Sequence, residues 1–540
     1  MFTGKSAKTA QAVLSITLVL SVISGCVPGS NKEGKSTKAK DAETAAKLTS
    51  LTYWAALNPA AAATMKSYNE MEAYKEMERI TGVKVDFQHP PQGGTAEKEQ
   101  FNLMLTSGTL PDVIEYNWNG YPGGPEKAIK DNRIVKLNDY IDKYAPNYKK
   151  VLDSNPEWKK QVTTDDGSIV GFHFIRGDRS LQIFRGAIIR EDWLNKLGLK
   201  KPTTIDEWYT VLKAFKEKDP NGNGKADEVP LLLSLSELKN TQAFVGAYGV
   251  SSGFYKEGNT VKYGPIEQGY KEFLTTMNKW YKEGLIDRDF AATDTKLLDA
   301  KVTGNQLGAI VGAAGGALGK YMNLMASKDK TFKLSGVPYP VLKAGDKPQF
   351  GHFDQPVPGK SAAITTSNKN IVETIKWLDM GYSEQGHMLF NFGKEGVSYK
   401  LENGYPKYTD TITNNPDGLP MSQAIAKHNR ASWDGIMVQD KRYSDQYQSQ
   451  VPEQLEAIDI WSTPINEKVM PPVTPNKDES GKYASVMTDI NTYKDEMYNK
   501  FIMGAEPIEN FDKYVKTLKG MGIDDAINIQ QAALERYNKR

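Results

Sequence analysis

Leu51-Thr52-Tyr53-Trp54-Ala55 reads as a short strand, and the residues from there to Tyr116 decide the fold. A helical segment from about Asn69 to Thr81 places Tyr74, Met77 and Ile80 on one side and stops at Gly82. Val83, Val85 and Phe87 then alternate as a strand. A second helix, Ala96 to Thr106, passes through Ser107-Gly108-Thr109-Leu110-Pro111 into a third strand, Asp112 to Tyr116. Strands alternating with helices in this way specify an α/β fold with parallel pairing.

The loop after that third strand is Asn117-Trp118-Asn119-Gly120-Tyr121-Pro122-Gly123-Gly124. Ligands of open α/β sheets bind outside the carboxyl ends of the strands. A sugar presents an apolar C–H face and a rim of hydroxyls, and aromatic planes beside amides complement both. Trp118, Asn119 and Tyr121 are therefore candidate ligand contacts, and Trp54, at the end of the first strand, is expected to open toward the same edge.

Upstream, Lys5 and Lys8 precede an apolar run, Ala12 to Ile23, that breaks into Ser24-Gly25-Cys26. This is the layout of a secretory signal, and the run is too short for the roughly 20 residues of a membrane span. Ile23-Ser24-Gly25-Cys26 resembles a bacterial lipobox, which makes Cys26 the lipidation site and the anchor to the membrane. Cys26 is the chain's only cysteine, so stability is expected to come without disulfides. From Val27 to about Ser50 the residues are small, polar and charged, a flexible tether.

The 540 residues leave ample material for two or more lobes. Lys and Arg number 68 against 66 Asp and Glu, and losing Lys5 and Lys8 on processing balances the mature chain. That neutrality argues against a nucleic-acid partner.

From Ala187 another lobe begins. Ile188 to Leu199 ends a strand and enters a short helix, and Thr204-Ile205-Asp206-Glu207 forms a capping box for a helix with Ile205, Trp208, Leu212 and Phe215 on one face. The helix leads to Asp219-Pro220-Asn221-Gly222-Asn223-Gly224-Lys225-Ala226-Asp227-Glu228. Oxygen-bearing side chains at positions one, three, five and nine, with glycine at six, match a calcium loop, and the carbonyl of Lys225 adds a ligand. Position twelve is Pro230 where an EF-hand has glutamate, so Glu228 is the expected bidentate substitute. Asp219, Asn221, Asn223, Lys225, Asp227 and Glu228 are the expected ligands of a structural Ca2+.

These segments in this order, with Phe392-Gly393-Lys394-Glu395-Gly396-Val397-Ser398-Tyr399 and the stretch from Lys500 through Tyr514 to Ala533, resemble the extracellular solute-binding lipoproteins of ABC importers. More narrowly, they are similar to the LplA-like and alginate-binding-protein-like oligosaccharide-binding subfamily of Gram-positive bacteria. The resemblance runs from about Leu51 onward. It implies a two-lobed periplasmic-binding-protein fold, type II-like, with a hinge between α/β lobes and a sugar in the cleft. On that basis residues 1–25 are the signal peptide and 26–50 the tether. Residues 51–186 with 340–398 form the N-terminal lobe, and 187–339 with 399–540 the C-terminal lobe. The chain is expected to cross near Phe184 to Ile189, return near Pro338 to Phe353 and cross again after Tyr399. Cleft closure adds the turn Gly312 to Gly316, the segment His352-Phe353-Asp354 and Trp433 as candidate contacts. The implied protein is a monomer on the outer face of the cell membrane that hands an oligosaccharide to permease subunits.

Catalytic readings have little support. Gly249-Val250-Ser251-Ser252-Gly253 fits the nucleophile-elbow pattern, but the elbow needs a strand before it and a helix after it. The glycine run ending Gly319-Lys320-Tyr321 lacks the first glycine of a phosphate loop, because residue 314 is alanine. His89, His173, His352, His387 and His428 show no zinc spacing. A cell-surface polysaccharide-degrading enzyme and a non-catalytic carbohydrate-binding adhesin remain the alternatives to a transport receptor. Arg176, Arg179 and Arg185 near the expected hinge suit uronic acid carboxylates, though surface solvation accounts for arginines equally well.

Overall fold

The computed structural model describes residues 48–431 and 434–540, so the signal segment, Cys26, the tether up to Lys47, and Trp433 lie outside the described residues. Nine strands build two sheets. In chain order they are β1 (Ser50–Ala55), β2 (Lys84–Gln88), β3 (Val113–Asn117), β4 (Phe172–His173), β5 (Arg185–Arg190), β6 (Val229–Leu232), β7 (Leu307–Ala313), β8 (Leu334–Val337) and β9 (Lys360–Ile364).

The first sheet has the order β2-β1-β3-β9-β4. β1 runs parallel to both neighbours, with Leu51 opposite Val85 and Tyr53 opposite Val113, while β9 is antiparallel to β3 and β4. Helix α1 (Glu72–Thr81) links β1 to β2, burying Tyr74 and Met77 and ending at Gly82 with φ +70°. Helix α2 (Gly94–Ser107) links β2 to β3. The second sheet has the order β8-β5-β7-β6, in which β5 is antiparallel to β7 and β8, and β6 is parallel to β7. Its helix α3 (Ile205–Glu217) starts at the Thr204–Glu207 capping box and buries Ile205, Trp208, Leu212 and Phe215.

Each sheet has its own apolar core. The chain passes between them three times, at 177–184, 338–359 and 440–451, and the three passages lie side by side. Ile175–Arg176 pairs in parallel with Val438–Gln439, the Arg176 N–H donates to the Pro356 carbonyl at 2.8 Å, and the Asp354 N–H donates to the Gln182 carbonyl at 2.9 Å. Gly177 sits where a Cβ would come within 2.6 Å of the Gln439 carbonyl, so the close approach of these passages requires glycine.

The third passage differs from the expected position after Tyr399. Tyr399–Glu402 forms a hairpin with Tyr405–Tyr408, and Ala426, Ile436 and Met437 pack in the first core. The chain joins the second core only at Val451 and helix α4 (Pro452–Trp461), which packs on β8. The apolar faces of 399–450 match the first lobe, and that choice is made by tertiary packing rather than by local sequence.

Helices α5 (Lys477–Met503) and α6 (Ile523–Asn538) complete the second core. The end of α6 also reaches the first lobe. Arg536 Nε and Arg540 Nη2 contact the Asp165 carboxylate at 2.7 and 2.6 Å, and the Tyr537 hydroxyl donates to Glu157 Oε1 at 2.7 Å.

Candidate functional site

β3 ends in a single 3-10 turn, Trp118–Gly120, in which the Asn117 side chain accepts from the Asn119 N–H at 3.2 Å. The turn sets Trp118 edge-on to Phe101, with centroids 5.5 Å apart, and beside Tyr121. Trp118 and Asn119 form one wall of a cavity of about 380 Å3. Phe353 and Asp354 of the second passage, and Asn476 and Lys477 at the start of α5, form the others. The cavity therefore draws on both lobes and the hinge. Trp118 is only 2% exposed and its Nε1 is buried without a hydrogen-bond partner among the described residues.

The other expected contacts sit differently. Trp54 is buried between Phe101 and Tyr116, at 6.2 and 6.1 Å, and belongs to the aromatic cluster beneath the cavity rather than to its wall. A residue near a strand end points to one face of the sheet, and here that face is covered by α2. Tyr121 is buried too, and its hydroxyl donates to Asp131 at 2.8 Å. His352 is a hinge residue: its N–H donates to the Tyr339 hydroxyl at 2.9 Å, Nδ1 accepts from the Phe184 N–H at 3.4 Å, and its ring meets the Phe184 ring edge-on at 4.4 Å. Trp433 lies outside the described residues.

A second cavity of about 570 Å3 lies on the other side of the hinge, with Phe174, Phe184, Tyr443 and Tyr447 as aromatic walls and Gly315 and Gly316 from the second lobe. A smaller hollow of about 250 Å3 holds Tyr116, Asn117 and Gly120, and Lys360 borders both spaces. Tyr443 and Tyr447 had gone unread in the sequence. They stand four apart on the otherwise polar helix Lys441–Gln448, so they share one face, and that pairing is the signal that would have found them.

Charged groups in these walls come in pairs. Arg176 Nη2 meets Asp354 Oδ2 at 2.8 Å, with Arg176 on the larger cavity and Asp354 on the smaller. Burial opposes ionisation of Asp354, yet His352 and Arg176 outweigh it and hold the carboxyl below the usual range. Burial likewise works against the Lys360 ammonium, but Asp434 at 2.9 Å and Glu97 at 3.8 Å keep its pKa above the ordinary lysine value. His173, a wall residue of the first cavity, is pushed down to about 4 by burial and is neutral at pH 7.

In the loop from Asp219 to Glu228, the side chains close on one another. Asp219 accepts from the N–H groups of Asn223 and Gly224 at 3.1 and 3.0 Å, and the amides of Asn221 and Asn223 both donate to Asp227 Oδ1 at 3.1 and 3.0 Å. Glu228 Oε1 is buried without a partner among the described residues, and burial, with Asp219 and Asp227 nearby, pushes its pKa up. Among the described residues no three carboxylate, imidazole or thiol groups converge to hold an ion by themselves. A cation here needs the amide oxygens and the Lys225 carbonyl as well, and half a turn of each amide exchanges its nitrogen for oxygen. The donor set, with an orphaned buried carboxylate oxygen, fits a hard cation.

Gly249–Gly253 follows a 3-10 turn and leads into the hairpin Phe254–Glu257 with Thr260–Tyr263, so the strand-to-helix context of a nucleophile elbow is not formed there. Gly315 and Gly316 lie in a π-helical segment, Ala314–Gly319, that follows β7.

A family model described as bacterial extracellular solute-binding protein matches residues 62–388. The chain is 29% identical over 493 residues to the fructooligosaccharide ABC transporter substrate-binding protein FusA of Streptococcus pneumoniae serotype 4, covering 87% of this chain and 88% of that protein. It is 30% identical to the lipoprotein LipO of Bacillus subtilis over 370 residues, 65% of this chain and 68% of LipO. Among solved structures, FusA in complex with kestose superposes with a TM-score of 0.73 at 26% identity, over 91% of this chain and 99% of that one. The alginate-binding protein AlgQ2 without calcium ion gives 0.70 at 29% identity, over the same shares.

Proposed function

The chain belongs to the bacterial extracellular solute-binding protein family, and from that premise we propose that it captures an oligosaccharide between its lobes and delivers it to the permease of an ABC transporter. The observation that carries this reading is the cleft itself. Aromatic side chains of the first lobe and of the three passages line spaces of about 380 and 570 Å3, within the ~300–1,000 Å3 of small-molecule sites. The similarity to FusA, named for fructooligosaccharide transport, and to AlgQ2, named for alginate binding, supports a sugar as the cargo. The protein binds and releases its ligand unchanged, and occupancy is signalled to the permease by closure of the lobes about the passages at 177–184, 338–359 and 440–451. It acts as a monomer tethered to the outer face of the membrane through lipid on Cys26, a reading carried by the lipobox-like Ile23-Ser24-Gly25-Cys26 and by the similarity to LipO.

Differential scanning fluorimetry with an oligosaccharide panel tests the capture reading. A ligand at a hundred times its Kd adds about 2.7 kcal/mol of apparent stability, a readily measured rise in Tm. A rise with the sugar recovered intact supports capture, whereas cleavage products in the mixture would replace it with an enzyme.

The loop holds a structural calcium through Asp219, Asn221, Asn223, the Lys225 carbonyl, Asp227 and Glu228, fixing the turn between α3 and β6. Chelation with EGTA is expected to lower Tm, added Ca2+ to restore it, and Asp227→Ala to abolish the difference. An unchanged Tm on chelation would remove the ion from the account.

A further inference from the structure

We infer that the captured oligosaccharide is uncharged, a deepening of the capture reading that rests on it. The sequence offers arginines for a uronic acid, and the fold commits them elsewhere. On the larger cavity, Arg176 is held by Asp354 at 2.8 Å and by the Leu181 carbonyl at 3.1 Å. Arg185 is held by Glu237 at 2.6 Å, and Lys360 by Asp434 at 2.9 Å with Glu97 at 3.8 Å. On the smaller cavity, Arg540 is held by Asp165 at 2.6 Å. Arg179 stands over the Phe353 ring at 5.6 Å, exposed and outside both cavity walls. Each of these four cations thus faces a carboxylate, with Glu97 and Glu237 lying outside the two cavity walls, and Lys477 on the smaller cavity stands 3.9 Å from Asp478.

Placing a ligand carboxylate on Arg185 or Lys360 would push aside Glu237 or Asp434. The side chains of both pairs are less than a third exposed, so the displaced carboxylate would remain poorly hydrated and lose its counter-charge. A hydroxyl makes no such demand. It accepts from one member of an ion pair and donates to the other, leaving the pair in place and gaining charge-assisted hydrogen bonds.

The remaining polar atoms suit the same ligand. Arg176 Nε and Gln448 Oε1 on the larger cavity, and Ser361 Oγ on the smaller, are buried without partners among the described residues. One donor, one acceptor and one group of either kind match a ring of hydroxyls. The aromatic walls of the larger cavity, Phe174, Phe184, Tyr443 and Tyr447, supply faces for the sugar C–H surfaces.

The test is isothermal titration of the full chain carrying Cys26→Ala with two pools of matched length, neutral oligosaccharides and oligogalacturonates with oligomannuronates. At least tenfold tighter binding of the neutral pool is expected. Tighter binding of the uronate pool overturns the charge inference and leaves sugar capture standing; binding of neither overturns capture and this inference together. Glu237→Gln, which frees Arg185 from a carboxylate outside the cavity walls, is expected to raise uronate affinity about tenfold with neutral binding within twofold of wild type. Unchanged uronate affinity in a variant that melts like wild type would show that pairing is not what excludes a charged sugar. Should that variant fail to fold, Asp434→Asn at Lys360 is compared by the ratio of uronate to neutral affinity, which is expected to rise about tenfold; an unchanged ratio overturns the pairing argument in the same way.

Discussion

Trp118 belongs both to the wall of the smaller cavity and to the aromatic packing behind it. Its ring is held against Phe101 and Tyr121, so replacing it by alanine would open a void and cost about 3–5 kcal/mol, obscuring any effect on the ligand. Trp118→Phe keeps most of the packing while shrinking the surface offered to a sugar and removing the unpartnered Nε1–H. Roughly tenfold weaker binding with a small change in Tm is expected, and titration calorimetry beside melting checks both. His173 bears on pH. Its ring is buried against the Tyr148 hydroxyl, 2.9 Å from Nδ1, and its pKa is pushed down to about 4 from an unfolded value near 6.5. As pH falls below 6.5 the unfolded chain takes up a proton that the folded chain refuses until about pH 4, so stability is full above 6.5 and declines through that window. The decline attributable to this group is on the order of 3 kcal/mol. Urea unfolding at pH 7 and pH 4.5 should show it in wild type and show it diminished in His173→Gln. Sequence reading singled out Trp118 because aromatics in a loop after a strand are conspicuous. It over-read Trp54 for the same reason, since strand-end position does not reveal which face α2 will cover.

At the scale of elements, a buried ion pair ties β3 to the segment that follows helix Met421–His428. Arg430 Nη2 meets Glu115 at 2.7 Å, Nη1 donates to the Tyr74 hydroxyl at 2.8 Å, and Nε donates to the Asp434 carbonyl at 2.7 Å. Tyr53 completes the set by donating to Glu115 Oε2 at 2.8 Å. Burial opposes the charge on Arg430, but Glu115 and the tyrosines keep it well above its ordinary pKa. Arg430→Met would leave Glu115 buried without its cation, at a cost of about 3–5 kcal/mol, and Glu115→Gln in the same chain should recover much of that. A double-mutant cycle by denaturant unfolding checks this; simple additivity of the two costs would mean that the pair is not coupled. Because Asp434 carries the contact to Lys360, the single variant should also weaken ligand binding. None of this network was readable in the chain, where Glu115 looks like an ordinary strand residue and Arg430 like a surface cation. The βαβ opening, the Thr204 capping box and the helix that leads into the 219–228 loop were readable, because each rests on local periodicity or capping. The placement of 399–450 was not, because amphipathic helices carry no mark of which sheet receives them.

For the whole molecule, the end of α6 acts as a strap across the lobes. Arg536 and Arg540 converge on Asp165, and Tyr537 reaches Glu157. These contacts border the smaller cavity, where Asp165 and Arg540 are wall residues. Asp165→Ala is expected to favour the open arrangement, seen as a larger radius of gyration in solution scattering without ligand and as several-fold faster ligand release. Identical scattering profiles for variant and wild type would assign the strap to local stability alone.

The threading of the chain has a consequence for its synthesis. The second sheet takes its four strands from residues 185–337, but its apolar cover includes Trp461, Met487, Phe501 and Ile523. The first sheet needs β9 from 360–364 to join β3 to β4, and its core needs Ile436 and Met437. A nascent fragment ending near residue 340 therefore holds unfinished pieces of both lobes and a complete version of neither. The first lobe can finish only when the chain has reached about residue 450 and the second only past Ile523, and long-range pairing of this kind is slow. Neither lobe is finished until some 450 of the 540 residues are available, and up to that point the polypeptide remains in the condition in which a protein can still be threaded through a narrow translocation channel.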